Sequence, residues 1–263
     1  MRFLTCLVLF LGLSVSCASK KEKAKNSYSP KISFEEEGKS FSSTIQLPKD
    51  FKEPLPLIVI IHEWWGRNDY IANRAEMIKK EGYAVLAVDL YGNNQIVNTP
   101  SEAQALATPF YQNPQLSINR LTKYLEAAKK DPHVDPTQIF VIGYCFGGTQ
   151  ALNLARSGAD IKGVVSFHGG LATSIQNPQI KAKVLALNGA ADPMVPKKEV
   201  TAFEKEMKSA KATYKIVNYK GATHAFTNSN STEVGRKYNI PIAYNKKADE
   251  ASWKEFLSFL KSK

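Results

Sequence analysis

The chain has 263 residues, 43% of them hydrophobic, which suits one α/β domain with extensions and is too little for two full domains. Its formal net charge is +11; Arg2 supplies one of these charges and residues 20–31, with five lysines against Glu22, a net four, so the remainder is only modestly basic at +6. That remainder holds no Lys/Arg-rich run, which argues against nucleic acid as a partner, and its aromatic content argues against global disorder.

The first elements concern export. Arg2 precedes a mostly apolar run, Phe3 to Val15, too short to span a bilayer comfortably and suited to the core of a signal peptide. "LSVSCASKK" then supplies small residues around a cleavage zone. Residues 1–18 are therefore expected to be a signal, with Cys17 as the lipidated first residue of a lipoprotein, although Ser14 stands where a leucine is preferred. Ordinary secretory cleavage near Ala18 is the alternative. Residues 19–31 form a polar tether, and the expected location is a bacterial envelope (periplasm), with a lipid as the sole membrane contact. Cys6 leaves with the signal and Cys17 is lipidated or removed, so Cys145 stands alone in the domain at 32–263 and no disulfide framework forms.

Residues 32–48 suggest a hairpin around Glu37-Gly38-Lys39. Short apolar runs then alternate with amphipathic segments. Strands are expected at 57–62, 84–92, 139–145, 163–170, 183–189 and 213–221, and helices at 70–81, 101–111, 115–130, 147–157, 197–210 and 248–261. Continuous Val/Ile/Leu runs mark strands covered on both faces, hence a mostly parallel, doubly wound sheet in a single domain.

In such a sheet, ligands sit beyond the carboxyl ends of the strands. Glu63, Trp64 and Trp65, Tyr91, Cys145, His168, Asp192 and His224 all fall just past successive strand ends. "GYCFGG" at 143–148 places Cys145 between glycines on a strand-to-helix turn, where a nucleophile takes a strained backbone and its neighbours must be small. The following helix points its positive end at the thiol and favours thiolate. The competing reading is a small, inert buried cysteine. A thiol near pH 7 needs a base. His224 with Asp192 supplies one, in the chain order nucleophile, acid, histidine of α/β-hydrolases. His168 falls between nucleophile and acid and is taken as a pocket or structural residue. Glu63 is placed to accept the thiol proton or to have its own acidity weakened, and the backbone amides of Trp64 and Phe146 are candidate oxyanion donors.

These residues resemble the dienelactone hydrolases, or carboxymethylenebutenolidases, over about 50–263. The carriers are "HEWWGRNDYI" at 62–71, "AVDLYG" at 87–92, "GYCFGG", "ADPMVP" at 191–196 and "HAF" at 224–226. The resemblance implies an α/β-hydrolase fold, Cys145 as nucleophile, His224 as base, Asp192 as its orienter and Glu63 as the glutamate that takes the thiol proton when substrate enters. Two arginines that grip a substrate carboxylate in dienelactone-cleaving members are absent: Asn93, within Gly92-Asn93-Asn94, and Asn228 stand in their places. Trp65, Tyr91, Asn93 and Asn228 are the expected pocket residues.

The expected activity is hydrolysis of an ester or lactone through a thioester, by a monomer needing no metal or organic cofactor, since no His/Cys/Asp cluster has ligand spacing. The rival is a non-catalytic envelope binding protein on the same fold. A thiol redox protein lacks a resolving cysteine.

Overall fold

Glu37 and Gly38 reverse the chain in the computed structural model, which describes residues 29–49, 51, 52 and 54–262. Their φ angles of 52° and 72° give a two-residue turn whose twist matches that of the strands it joins. Those strands, β1 (Lys31–Glu36) and β2 (Lys39–Gln46), pair antiparallel. Residues 1–18 and all but the last three residues of the tether lie outside the described residues.

Six strands continue the sheet: β3 (Leu55–Ile61), β4 (Ala84–Val88), β5 (Val134–Tyr144), β6 (Gly163–Phe167), β7 (Lys183–Gly189) and β8 (Tyr214–Tyr219). Their order is β1-β2-β4-β3-β5-β6-β7-β8. β2 meets β4 antiparallel, and every pairing from β4 through β8 is parallel. Every residue of β4 and β6 is buried, as strands covered on both faces require.

The helices are α1 (Asp69–Lys80), α2 (Pro100–Gln112), α3 (Gln115–Ala128), α4 (Phe146–Arg156), α5 (Lys197–Ser209), α6 (Ser231–Tyr238) and α7 (Lys246–Lys261). Side chains alternate across each strand, so β3 feeds two cores. Leu57, Val59 and Ile61 pack with Leu121, Leu152 and Phe203 from α3, α4 and α5. Ile58 and Ile60 pack with Ile71 and Ile78 of α1 and Phe256 of α7. Phe256 is fully buried, and truncating it to Ala would cost about 4 kcal/mol. No helix among the described residues is long and apolar enough to cross a membrane.

Strands β4 and β6 stop at Val88 and Phe167, short of the expected 92 and 170, and two further elements differ from expectation. Helix α6 was not foreseen, because its buried residues are Ser231 and Gly235 and it shows no apolar stripe. A Cβ at Gly235 would lie 2.3 Å from the Ile242 carbonyl oxygen, so the helix docks through smallness rather than hydrophobicity. Strand β5 begins at Val134 rather than 139; after Val134 its extra residues, Asp135 to Gln138, are half-buried or exposed and carry no apolar signal.

Candidate active site

The parallel strands deliver their carboxyl ends to one edge of the sheet, where β5 turns into α4 at Cys145. The turn is strained: Cys145 has φ 53° and ψ −116°, a conformation that costs about 1–3 kcal/mol. Close packing holds it. A Cβ at Gly143 would fall 2.0 Å from the Gly147 oxygen, one at Gly147 2.3 Å from the Ile61 oxygen, and one at Gly148 2.5 Å from Ser166 Oγ. The three glycines let β5, α4 and the end of β3 approach to backbone contact, which is why the thiol sits among them. The Cys145 amide donates to the Phe167 carbonyl at 2.9 Å and faces His168 Nδ1 at 3.1 Å.

His224, after β8, places Nε2 3.0 Å from Cys145 Sγ and Nδ1 2.8 Å from Asp192 Oδ2. Asp192, after β7, is fixed in turn by the Met194 amide, 2.8 Å from Oδ1. Burial disfavours a charged imidazole here, but the negative sulfur and the Asp192 carboxylate outweigh it and hold His224 protonated up to about 10. The ring thus bridges the Cys145 sulfur and the Asp192 carboxylate.

Glu63, after β3, is buried and faces the same cavity. Burial pushes its acidity up to about 7, opposed by the hydrogen bond from Asn228 Nδ2 to Oε2 at 2.8 Å. The group in hydrogen-bonding reach of the sulfur is His224 rather than Glu63. Phe146 opens α4, where an amide has no acceptor within the helix.

The cavity above Cys145 encloses about 430 Å³. Trp64 and Trp65 form one wall, their rings 4.9 Å apart, and Tyr111 and Met194 stand exposed at its margin. Among the described residues, no lysine or arginine lines it; its carboxylates are Glu63 and Glu199, and Glu199 is engaged by the Ala172 amide at 3.0 Å. Among the described residues, no group of three or more His, Cys, Asp or Glu side chains is placed to hold a metal ion.

The expected pocket residues divide. Trp65 lines the cavity. Asn228 reaches it through Glu63 and itself lines a neighbouring cleft that shares Trp65. Tyr91 is not in the wall: it is buried behind it, packed on Phe146, with its hydroxyl donating to the Trp64 carbonyl at 3.0 Å. Asn93 also stands apart, because its positive φ turns it toward the hairpin, where Oδ1 accepts from the Ser40 amide at 2.9 Å. His168 is structural, its Nε2 2.7 Å from Thr227 Oγ1. Tyr111, Met194 and Glu199 were not foreseen; they sit on helices and loops whose folding over the sheet edge leaves no local pattern.

The family model for the dienelactone hydrolase family matches residues 41–263. "Protein usf" of Aquifex pyrophilus is 28% identical over 233 residues, covering 86% of this chain and 98% of its own. A protein of Aquifex aeolicus, named provisionally as a carboxymethylenebutenolidase, is 25% identical over 237 residues, covering 88% of this chain and 97% of its own. The crystal structure of a dienelactone hydrolase-like promiscuous phosphotriesterase, P91, from metagenomic libraries superposes with a TM-score of 0.82 at 27% identity, covering 89% of this chain and 97% of the other.

Proposed function

The chain belongs to the dienelactone hydrolase family, hydrolases of the α/β-hydrolase fold that act on esters or lactones, and we propose that it cleaves a neutral carboxylic ester or lactone through Cys145, His224 and Asp192. The observation that carries this reading is the pair of contacts at His224, 3.0 Å to the sulfur and 2.8 Å to the carboxylate.

The Cys145 thiolate attacks the carbonyl carbon; an S–C bond forms and the carbonyl π pair moves to oxygen, which the Trp64 and Phe146 amides receive. Collapse expels the alcohol oxygen, and the His224 imidazolium gives it a proton, leaving a thioester on Cys145. Water then attacks the thioester while His224 takes its proton. The second tetrahedral intermediate expels the thiolate and releases the acid. Asp192 holds the imidazole tautomer and stabilises its charge throughout.

The cavity supports a neutral substrate. A carboxylate would enter a space with two acidic side chains and, among the described residues, no lysine or arginine. Aromatic walls and a volume of about 430 Å³ suit a small apolar or aromatic acyl or ring portion. Envelope placement with a lipid at Cys17 rests on the sequence of residues 1–18 alone. Fatty-acid incorporation lost in Cys17→Ala would support it, and incorporation unchanged in that variant would rule it out.

The reaction is tested by hydrolysis of short-chain aryl esters by the protein and by Cys145→Ala. Turnover that vanishes in the variant supports the reading over a non-catalytic binding protein; turnover that persists refutes it.

A further inference from the structure

The peptide that carries the Trp64 amide is held from behind by a histidine with no part in the proton transfers. His62 is fully buried at the end of β3. Its Nε2 lies 3.3 Å from the Leu90 amide. A backbone N–H only donates, so Nε2 accepts and the ring proton sits on Nδ1. That Nδ1–H faces the Glu63 carbonyl oxygen at 2.6 Å, where the Gly66 amide also donates at 3.2 Å. Burial, countered in part by the Glu63 carbonyl, pushes the imidazole below its usual basicity and keeps it neutral.

A planar trans peptide directs its N–H away from its C=O. His62 therefore grips by the oxygen the same peptide unit whose opposite end is the Trp64 N–H. The next peptide is pinned by the Tyr91 hydroxyl on the Trp64 carbonyl, and the Tyr91 ring packs edge-on against His62 at 4.7 Å. The other face of the imidazole stacks on Phe146, ring centroids 5.8 Å apart, the residue that carries the second amide.

We propose that His62 is the positioning residue of the oxyanion hole, its Nδ1–H fixing and polarising the Glu63–Trp64 peptide so that the Trp64 amide meets the developing charge. This rests on the reading of Trp64 and Phe146 as oxyanion donors. Hydrogen bonds in series strengthen one another. As charge gathers on the substrate oxygen, the Trp64 N–H donates more strongly, the Glu63 oxygen becomes more negative, and the bond from His62 tightens. That gain belongs to the transition state, so its loss lowers kcat and leaves KM.

The test compares His62→Asn, His62→Gln and His62→Phe by kcat and KM on an aryl ester, by affinity for a trifluoromethyl ketone and by the rate of Cys145 alkylation with iodoacetamide. An Asn amide nitrogen falls near the Nδ1 position, whereas that of Gln falls near Nε2. His62→Gln and His62→Phe should lose about 10- to 100-fold in kcat with KM changed by less than about 2-fold. Binding of the ketone, whose thiol adduct carries an oxyanion, should weaken by a comparable factor. His62→Asn should recover most of both. Alkylation develops no oxyanion and should proceed at the wild-type rate in all three. Equal losses in His62→Asn and His62→Gln, or alkylation falling in step with kcat, would overturn the proposal in favour of a purely structural histidine. Should His62→Phe fail to fold, the Asn–Gln pair decides. Full kcat in His62→Gln beside an inactive Cys145→Ala overturns this inference alone, whereas turnover persisting in Cys145→Ala overturns the catalytic reading beneath it.

Discussion

The Asn228 side chain donates a 2.8 Å hydrogen bond to Glu63, so the buried acid at the cavity wall is partnered by a neutral amide and not by a cation. Desolvation then governs its titration and carries it up to about 7. An acid whose folded pKa lies above its unfolded value binds more protons in the native state, so stability falls as pH rises from about 4.5 to 7 and stays lower above that. Glu63→Gln removes the ionisation while keeping an acceptor for Asn228. The variant should be more stable than the wild type at pH 8, by at most about 3 kcal/mol, and the difference should vanish near pH 4. Denaturant unfolding at the two pH values checks this; a difference that does not change with pH contradicts it.

A second prediction concerns His224, held protonated up to about 10 against the cost of burial. The raised value means that the charged imidazole stabilises the fold fully below about 6.5 and loses that contribution as pH rises through about 10. Cys145→Ala deletes the sulfur at 3.0 Å and leaves Asp192 alone against desolvation. The His224 titration, followed by imidazole NMR shifts, should move to lower pH in that variant. An unchanged midpoint would mean that the sulfur does not carry the negative charge.

The turn offers a stability prediction. Gly143→Ala would drive a methyl to within 2.0 Å of the Gly147 oxygen, a backbone atom that cannot step aside. The loss should be about 3 kcal/mol or more, read as a lower denaturant midpoint at unchanged slope. Wild-type stability would show that β5 and α4 can separate at no cost.

Much of this site was legible because its residues lie at element ends, where apolar runs stop and chemistry begins. Cys145 follows β5 directly, and Asp192 and His224 come three and five residues past the ends of β7 and β8, so strand endings located them before any packing was known. The sheet order was not legible: β4 lies between β2 and β3, a neighbour relation that no local pattern encodes. Tyr91 and Asn93 follow β4 just as closely, yet one turns into the core and the other to Ser40, since a positive φ redirects the chain there. The Asn228–Glu63 contact joins residues far apart in the chain and is visible only once the strands are side by side.

Substrate charge gives a further prediction. With Glu63 and Glu199 in the wall and no lysine or arginine there among the described residues, a carboxylate-bearing dienelactone should be a poorer substrate than a neutral ester of similar size. The kcat/KM ratio should favour the neutral compound by at least about 10-fold, the scale of one unscreened charge contact. A ratio favouring the dienelactone would mean that His224, or a cation from elsewhere, outweighs the two carboxylates.

The central claim is that the sulfur of Cys145 carries the acyl group. Acid quench during turnover of an aryl ester, followed by peptide mass mapping, tests it most directly. The account predicts an acyl mass on the peptide containing Cys145, released by hydroxylamine and missing from Cys145→Ala. An acyl group on any other residue, or turnover with unmodified Cys145 under conditions that trap thioesters, would contradict it.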